Sequence, residues 1–150
     1  MREILFRGKR IDNGEWVYGG YYHEKVGEYF TAVFIVEHLT SGVRENHRVD
    51  PATVGQFTGM TDKNGKKIFE GDVLHADNGS NSSVIVVLFG EFYPKMFYDM
   101  LDLFCSGLIH IPALGFHGKS VKNGEELLLF QSPCMSVIGN IHDNPELVEG

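Results

Sequence analysis

Six consecutive apolar residues, Val84-Ile85-Val86-Val87-Leu88-Phe89, stand between Ser83 and Gly90. Most are β-branched, so their χ1 freedom is small and they fit a pleated surface better than a helix. The turn residues at both ends leave too short a run for a helix, so a strand is the expected element. Similar runs recur along the chain between Gly, Asn, Asp and Pro. Glu3 to Arg7 reads as a strand, and Glu15-Trp16-Val17-Tyr18-Gly19-Gly20-Tyr21-Tyr22 as a second, aromatic one. They are expected to pair as a hairpin across Asn13-Gly14, or across a slightly longer loop. Tyr29 to Val36 reads as a third strand, and its near-continuous apolar character suggests burial on both faces. His38 to Asn46 is polar and contains Gly42, so a loop is expected there. Pro51 biases Asp50 away from the helical region.

The second half continues in the same way. Thr53 to Gly59 is strand-like, and Thr61-Asp62-Lys63-Asn64-Gly65-Lys66 is the clearest turn. Asn64-Gly65 suits the positive φ of a type I′ hairpin. Lys67 to Phe69 ends a strand, Glu70-Gly71-Asp72 is a tight corner, and Val73 to Ala76 opens the next strand. Asp77 to Ser83 reads as a mobile polar loop. Pro94 to Phe104 carries Met96, Phe97, Met100, Leu101 and Phe104 at helical spacing, which predicts a helix. Gly107 to Gly124 reads as irregular, Glu126 to Phe130 fits either element, Met135 to Ile141 is a last strand, and Asn144 to Leu147 a turn.

A chain of 150 residues is about one domain and buries a core without needing disulfides or metal. A composition shift near residues 38 to 50 divides the expected single domain, 1–150, into subregions 1–47 and 48–150, with an insertion at about 94–133. The net charge of −7 lowers the expectation of nucleic-acid binding, which draws its affinity from Lys and Arg. The basic stretches, Arg7-Lys9-Arg10 and Lys63-Lys66-Lys67, are short and read first as solvated loops. Cys105 and Cys134 match no zinc or redox spacing and read as reduced, partly buried thiols. Arg2 and Glu3 follow Met1 with no apolar stretch of a secretory signal, and no run is long enough to span a membrane. A cytoplasmic protein is the expectation.

Candidate sites are few. Glu70, Asp72, His75 and Asp77 form the best titratable cluster. Strand alternation sets Asp72 opposite His75 and puts His75 with Asp77. A histidine beside a carboxylate suits a base or a metal ligand, but zinc takes three or four protein ligands. The plainer reading makes Asp72 a turn residue that accepts backbone amides, with His75 and Asp77 as surface polar residues. His110, His117 and His142 show no metal-binding spacing. Nucleophile elbows and phosphate-binding glycine loops are absent from the sequence. No catalytic residue, metal ligand or cofactor is therefore assigned. Trp16, Tyr18 and Tyr22 alternate along the second run, with Tyr21 and Phe34 nearby. They form either a contact surface or the buried face of the sheet.

Three stretches carry a resemblance. The first is Phe6-Arg7-Gly8-Lys9 with Gly14-Glu15-Trp16-Val17-Tyr18-Gly19. The second is Thr53 to Gly59 followed by Asp62-Lys63-Asn64-Gly65-Lys66-Lys67-Ile68-Phe69-Glu70-Gly71-Asp72-Val73. The third is Val137-Ile138-Gly139-Asn140-Ile141-His142-Asp143-Asn144-Pro145-Glu146-Leu147. In this order they resemble the YopX family of bacteriophages and prophages. Nothing carries over to Pro94 through Pro133. The resemblance implies a phage- or prophage-encoded protein inside a bacterial host cell, whose C-terminal half is an SH3-like small β-barrel. It implies no reaction. Asn64, Gly65, Gly71, Asp72, Gly139, Asn140, Asn144 and Pro145 are its turn-forming positions. The expected class is mainly β, a β-rich α+β chain: an N-terminal antiparallel sheet plus that barrel, with a partly helical insertion.

The leading functional expectation is a non-enzymatic module that binds a host or phage protein or assembles with itself as a homo-oligomer, with Trp16, Tyr18 and Tyr22 as interface candidates. The alternative is a nucleic-acid-binding small barrel contacting its ligand through Lys63, Lys66 and Lys67. A metal-assisted hydrolase centred on Asp72, His75 and Asp77 ranks last.

Overall fold

The computed structural model describes residues 3–77, 82–92, 113–129 and 134–149. The chain is mainly β, with two antiparallel sheets and, among the described residues, only two short 3-10 turns, Pro51–Thr53 and Pro145–Leu147. It divides into two compact units, Met1–Gly59 and Met60–Gly150.

The first unit contains β1 (Phe6–Lys9), β2 (Trp16–Val26), β3 (Phe30–His38), β4 (Arg44–Val49) and most of β5 (Gly55–Thr61), ordered β4-β3-β2-β1-β5. β1 pairs with the start of β2, from Lys9↔Trp16 to Phe6↔Gly19, and β3 pairs with the remainder, from Gly20↔Val36 to Val26↔Phe30. The β1–β2 connection is thus the longer loop, closed by Arg10 N–H donating to Glu15 O at 2.9 Å. Val17, Val33, Ile35 and Val49 form the core, with Phe6 and Val54 packed on it. These side chains share one face, because antiparallel partners point the same way and residues alternate along each strand.

Two expectations change here. Residues 38 to 46 are not all loop, because β4 begins at Arg44. Its residues look like a loop because β4 is the outermost strand. Arg44, Glu45, Asn46 and Arg48 are exposed, and charge suits an edge that would otherwise recruit foreign strands. β3 is not buried along its whole length: Ala32, Val33 and Ile35 are buried, but Phe30 is 49% exposed. Asp50 is extended, as Pro51 requires, and its carboxylate caps the following 3-10 turn by accepting from Ala52 N.

The second unit adds β6 (Lys67–Phe69), β7 (Asp72–Asp77), β8 (Ser82–Phe92), β9 (Ala113–Ser120), β10 (Glu126–Leu128) and β11 (Met135–Asn140). The order β10-β9-β8-β7-β11 forms its sheet. Ile68, Leu74, Ile85, Val87 and Met135 make its core, backed by Met60, Ala76, Leu127, Leu129 and Val137. Glu126 to Leu128 resolves to strand. The region read as irregular holds β9, in which Gly118 serves packing. A Cβ on Gly118 would lie 2.6 Å from Ile85 Cγ2, so the β8 side chain occupies the space that a larger residue would need. The predicted helix at 94 to 104 and residues 78–81 of the polar loop lie outside the described residues. Ser82 and Ser83 already belong to β8.

The turn at residues 62 to 66 is not type I′. Among the described residues no non-glycine residue has positive φ, so Asn64 cannot take that conformation; Gly65 alone does, at φ 80°. The reason is Asp62. Its Oδ1 accepts Asn64 N–H at 2.8 Å and Lys66 N–H at 2.9 Å, while its own N–H donates to Lys66 O at 2.8 Å. This fixes the wider loop Lys63-Asn64-Gly65. Oδ2 accepts Val137 N–H of β11 at 3.1 Å, and Lys63 N–H donates to Met135 O at 2.9 Å. One buried carboxylate therefore shapes the turn and ties it to the last strand.

Burial alone would raise the Asp62 carboxyl, but the amides of Val137, Lys66 and Asn64 outweigh it and hold it below its ordinary 3.8. A depressed folded value means that this stability is present above 3.8 and is lost as pH falls through the folded value. Asp62→Asn keeps one acceptor but turns an NH2 toward a donor, Val137 N–H or the Asn64 and Lys66 amides. Urea unfolding at neutral pH should show a loss of about 1–3 kcal/mol. The difference from the parent should shrink as the pH is lowered through the acid range.

Candidate functional site

Strand pairing gathers Trp16, Tyr18, Tyr22, Phe30 and Phe34 on the face opposite the core of the first unit, while Phe6 and Tyr21 stay on the core side. Arg7 pairs with Tyr18 and Lys9 with Trp16, so all four side chains leave one face of β1 and β2. Tyr22 pairs with Phe34, which pairs with Arg48, and His38 pairs with Arg44, which extends that face across β3 and β4 by alternation. The Arg7 guanidinium lies 4.7 Å from the Trp16 ring centre and the Lys9 ammonium 5.8 Å from it. Tyr22 and Phe34 stack with centres 5.0 Å apart, and the Arg48 guanidinium lies 5.0 Å from the Phe30 ring centre. Cations within about 6 Å of a ring face are attracted by its quadrupole.

The face is partly covered by its own side chains and partly open. Arg7 is buried, Trp16 and Tyr22 are half-buried, and Tyr18 is 45% exposed. Arg7, Lys9, Arg44 and Arg48 stand on it, and Glu24 is its carboxylate. In a chain of net charge −7 this is a local reversal of sign. Such a surface offers flat rings for stacking or packing and cations for an acidic partner.

The titratable cluster of the second unit is dispersed. Asp72 is 1% exposed and its Oδ2 accepts Phe69 N–H at 2.8 Å, across the corner where Gly71 has φ 81°. His75, one face away on β7, has Nε2 2.7 Å from Ser82 Oγ, and Asp77 is exposed. Asp72, His75 and Asp77 do not converge as a set of metal donors among the described residues. His117 is buried, with Nδ1 3.3 Å from Gly115 O; His142 N–H donates to Asn140 Oδ1. His110 and Cys105 lie outside the described residues. Cys134 is exposed rather than partly buried, because it stands in the turn before β11.

The remaining motif residues build turns. Asn140 Oδ1 accepts the amides of His142 and Asp143, both at 3.0 Å. Pro145 starts the last 3-10 turn after Asn144. Gly139 follows a register shift in β11, and a Cβ there would lie 2.5 Å from Asn144 Oδ1. Lys63 and Lys66 are exposed and Lys67 is half-buried, around the Asp62 turn.

One group went unnoticed in the sequence. Glu37, Glu45 and His47 bring donor atoms within 4.8 Å of one another, the one such set among the described residues. They sit on the core-side face of β3 and β4, beyond Ile35. Their sequence spacing matches no metal motif; only the register, with Glu37 opposite Glu45 and Ile35 opposite His47, joins them.

Tyr18 and its neighbour Val17 separate surface from core. Tyr18→Ala should change the unfolding free energy by less than about 1 kcal/mol, whereas Val17→Ala should cost about 2 kcal/mol. Chemical denaturation of the two variants side by side makes the comparison.

No curated protein matches the chain. A crystal structure of a protein from Enterococcus faecalis is similar over 99% of this chain and 100% of that one, at 20% identity and a TM-score of 0.47. No helix of the described residues is long and apolar enough to cross a membrane. The family model described as YopX protein matches residues 5–149, nearly the whole length, and the chain belongs to the YopX family.

Proposed function

We propose that this YopX-family chain is a non-enzymatic interaction module, phage- or prophage-encoded and acting in the bacterial cytoplasm. It binds a host or phage protein, or a second copy of itself, through the aromatic and cationic face of β1 to β4. The observation that carries this reading is the open Tyr18 beside Trp16, Arg7 and Lys9, in an otherwise acidic chain. Aromatic and Arg side chains are the commonest anchors of protein interfaces. Asp72, the carboxylate best placed in sequence for catalysis, is buried against the Phe69 amide, which supports a structural role instead.

The finer fold reading is an SH3-like small barrel in the second unit. The bonds from Lys63 N–H to Met135 O and from Val137 N–H to Asp62 Oδ2 support it, since they draw the chain after β5 against the edge strand β11. A second functional reading uses the same aromatic face for single-stranded nucleic acid. Rings flanked by cations form a stacking platform that tolerates any base.

Affinity capture from phage-infected cells, with and without nuclease, separates these readings, using the parent chain and a Tyr18→Ala/Arg48→Ala variant. The proposal expects a stoichiometric protein partner that survives nuclease and is lost from the variant. If the chain captures only itself, light scattering over a dilution series should show an oligomer that the variant weakens. A partner lost on nuclease treatment favours the nucleic-acid reading, and equal capture by the variant removes this face from consideration.

A further inference from the structure

We propose that Glu37, Glu45 and His47 form a binding site for a divalent transition-metal ion, with zinc the best fit, which pins the edge strand β4 to β3. The argument is independent of the aromatic face, which lies on the other side of the same sheet.

Glu37 and Glu45 are direct cross-strand partners on one face. Like charges in that position repel, so the pair calls for a cation between them. His47 lies two residues from Glu45 on the same face, and its side chain is 10% exposed. Its Nε2 is 3.3 Å from Glu37 Oε2 and 3.7 Å from Glu45 Oε2. Both distances are long for a good hydrogen bond, whose usual N···O separation is about 2.9–3.0 Å. They bracket the spacing of two donors on one tetrahedral ion: with zinc–ligand bonds of about 2.1 Å, neighbouring donors stand about 3.4 Å apart. Ile35, the direct cross-strand partner of His47, is fully buried, so the site borders the core of the unit.

The donor set selects the ion. One imidazole and two carboxylates suit zinc and its neighbours, whereas calcium and magnesium favour oxygen donors and retained water. Glu37 and Glu45 side chains are 40% and 52% exposed, so solvent reaches the ion and can supply its fourth ligand. Each ligand belongs to β3 or β4. Binding therefore adds a crosslink at the outermost strand, which has a neighbour on one side.

The test uses the full chain at about pH 8, since protons compete with a metal ion for its ligands. Zinc chloride is titrated calorimetrically and by thermal unfolding, and the His47 ring is followed by NMR. The parent should bind one zinc, unfold at a higher temperature with zinc than with chelator, and show a displaced His47 ring signal. Glu45→Gln and Glu37→Gln alter exposed side chains and should keep the fold by circular dichroism. Each should weaken zinc by about tenfold or more. Magnesium should produce no shift. An absence of zinc binding by the parent, an unmoved His47 signal, or unchanged affinity in the Glu37→Gln/Glu45→Gln double variant would each overturn the assignment.

Discussion

The Asp62 carboxylate is the constraint on which the second unit turns. A buried anion is costly unless its lone pairs are met, and here backbone amides from two distant parts of the chain meet them. Two amides belong to the turn that starts β6, and the third belongs to β11. The same side chain thus sets the path of the hairpin and the position of the strand that pairs with β7. Neither the wider loop at Lys63-Asn64-Gly65 nor the seat of Met135 in the core is independent of it.

In the first unit the organising fact is the segregation of the two faces of one sheet. Valine and isoleucine pack on one side, with Glu37, Glu45 and His47 beyond them. The other side holds rings and guanidinium groups. β2 joins the two halves, since its first residues pair with β1 and the rest with β3. The change of partner falls at Gly19-Gly20. A Cβ on Gly19 would come 1.9 Å from the Val36 carbonyl oxygen, so the backbones approach there as no larger residue allows.

What was legible in the sequence was local. Runs such as Val84 to Phe89 and Met135 to Asn140 became strands because burial and β-branching act residue by residue. The alternation of Trp16, Tyr18 and Tyr22 correctly grouped them on one face, as period-two geometry demands. What was illegible depended on partners far along the chain. β4 looked like a loop because an edge strand needs few apolar residues. β9 looked irregular because Gly118 leaves its space to Ile85, a residue of another strand. The Asn64-Gly65 pair suggested the wrong turn because Asp62 overrides the dipeptide's own preference. Glu37, Glu45 and His47 became neighbours only through a register that no spacing rule encodes.

The bond between Asp62 and Val137 joins residues 75 positions apart. During synthesis from the N-terminus, the ladders of β1 to β4 have all their residues once Val49 has emerged. The second unit cannot satisfy its central carboxylate until Val137 follows, and closing so long a loop is slow. Until then Ile68, Leu74, Ile85 and Val87 lack Met135, and the edge of β7 that β11 will take stands open. A ribosome paused before that point holds a chain with one finished sheet and one unfinished sheet, and the unfinished one is where a chaperone would find its footing.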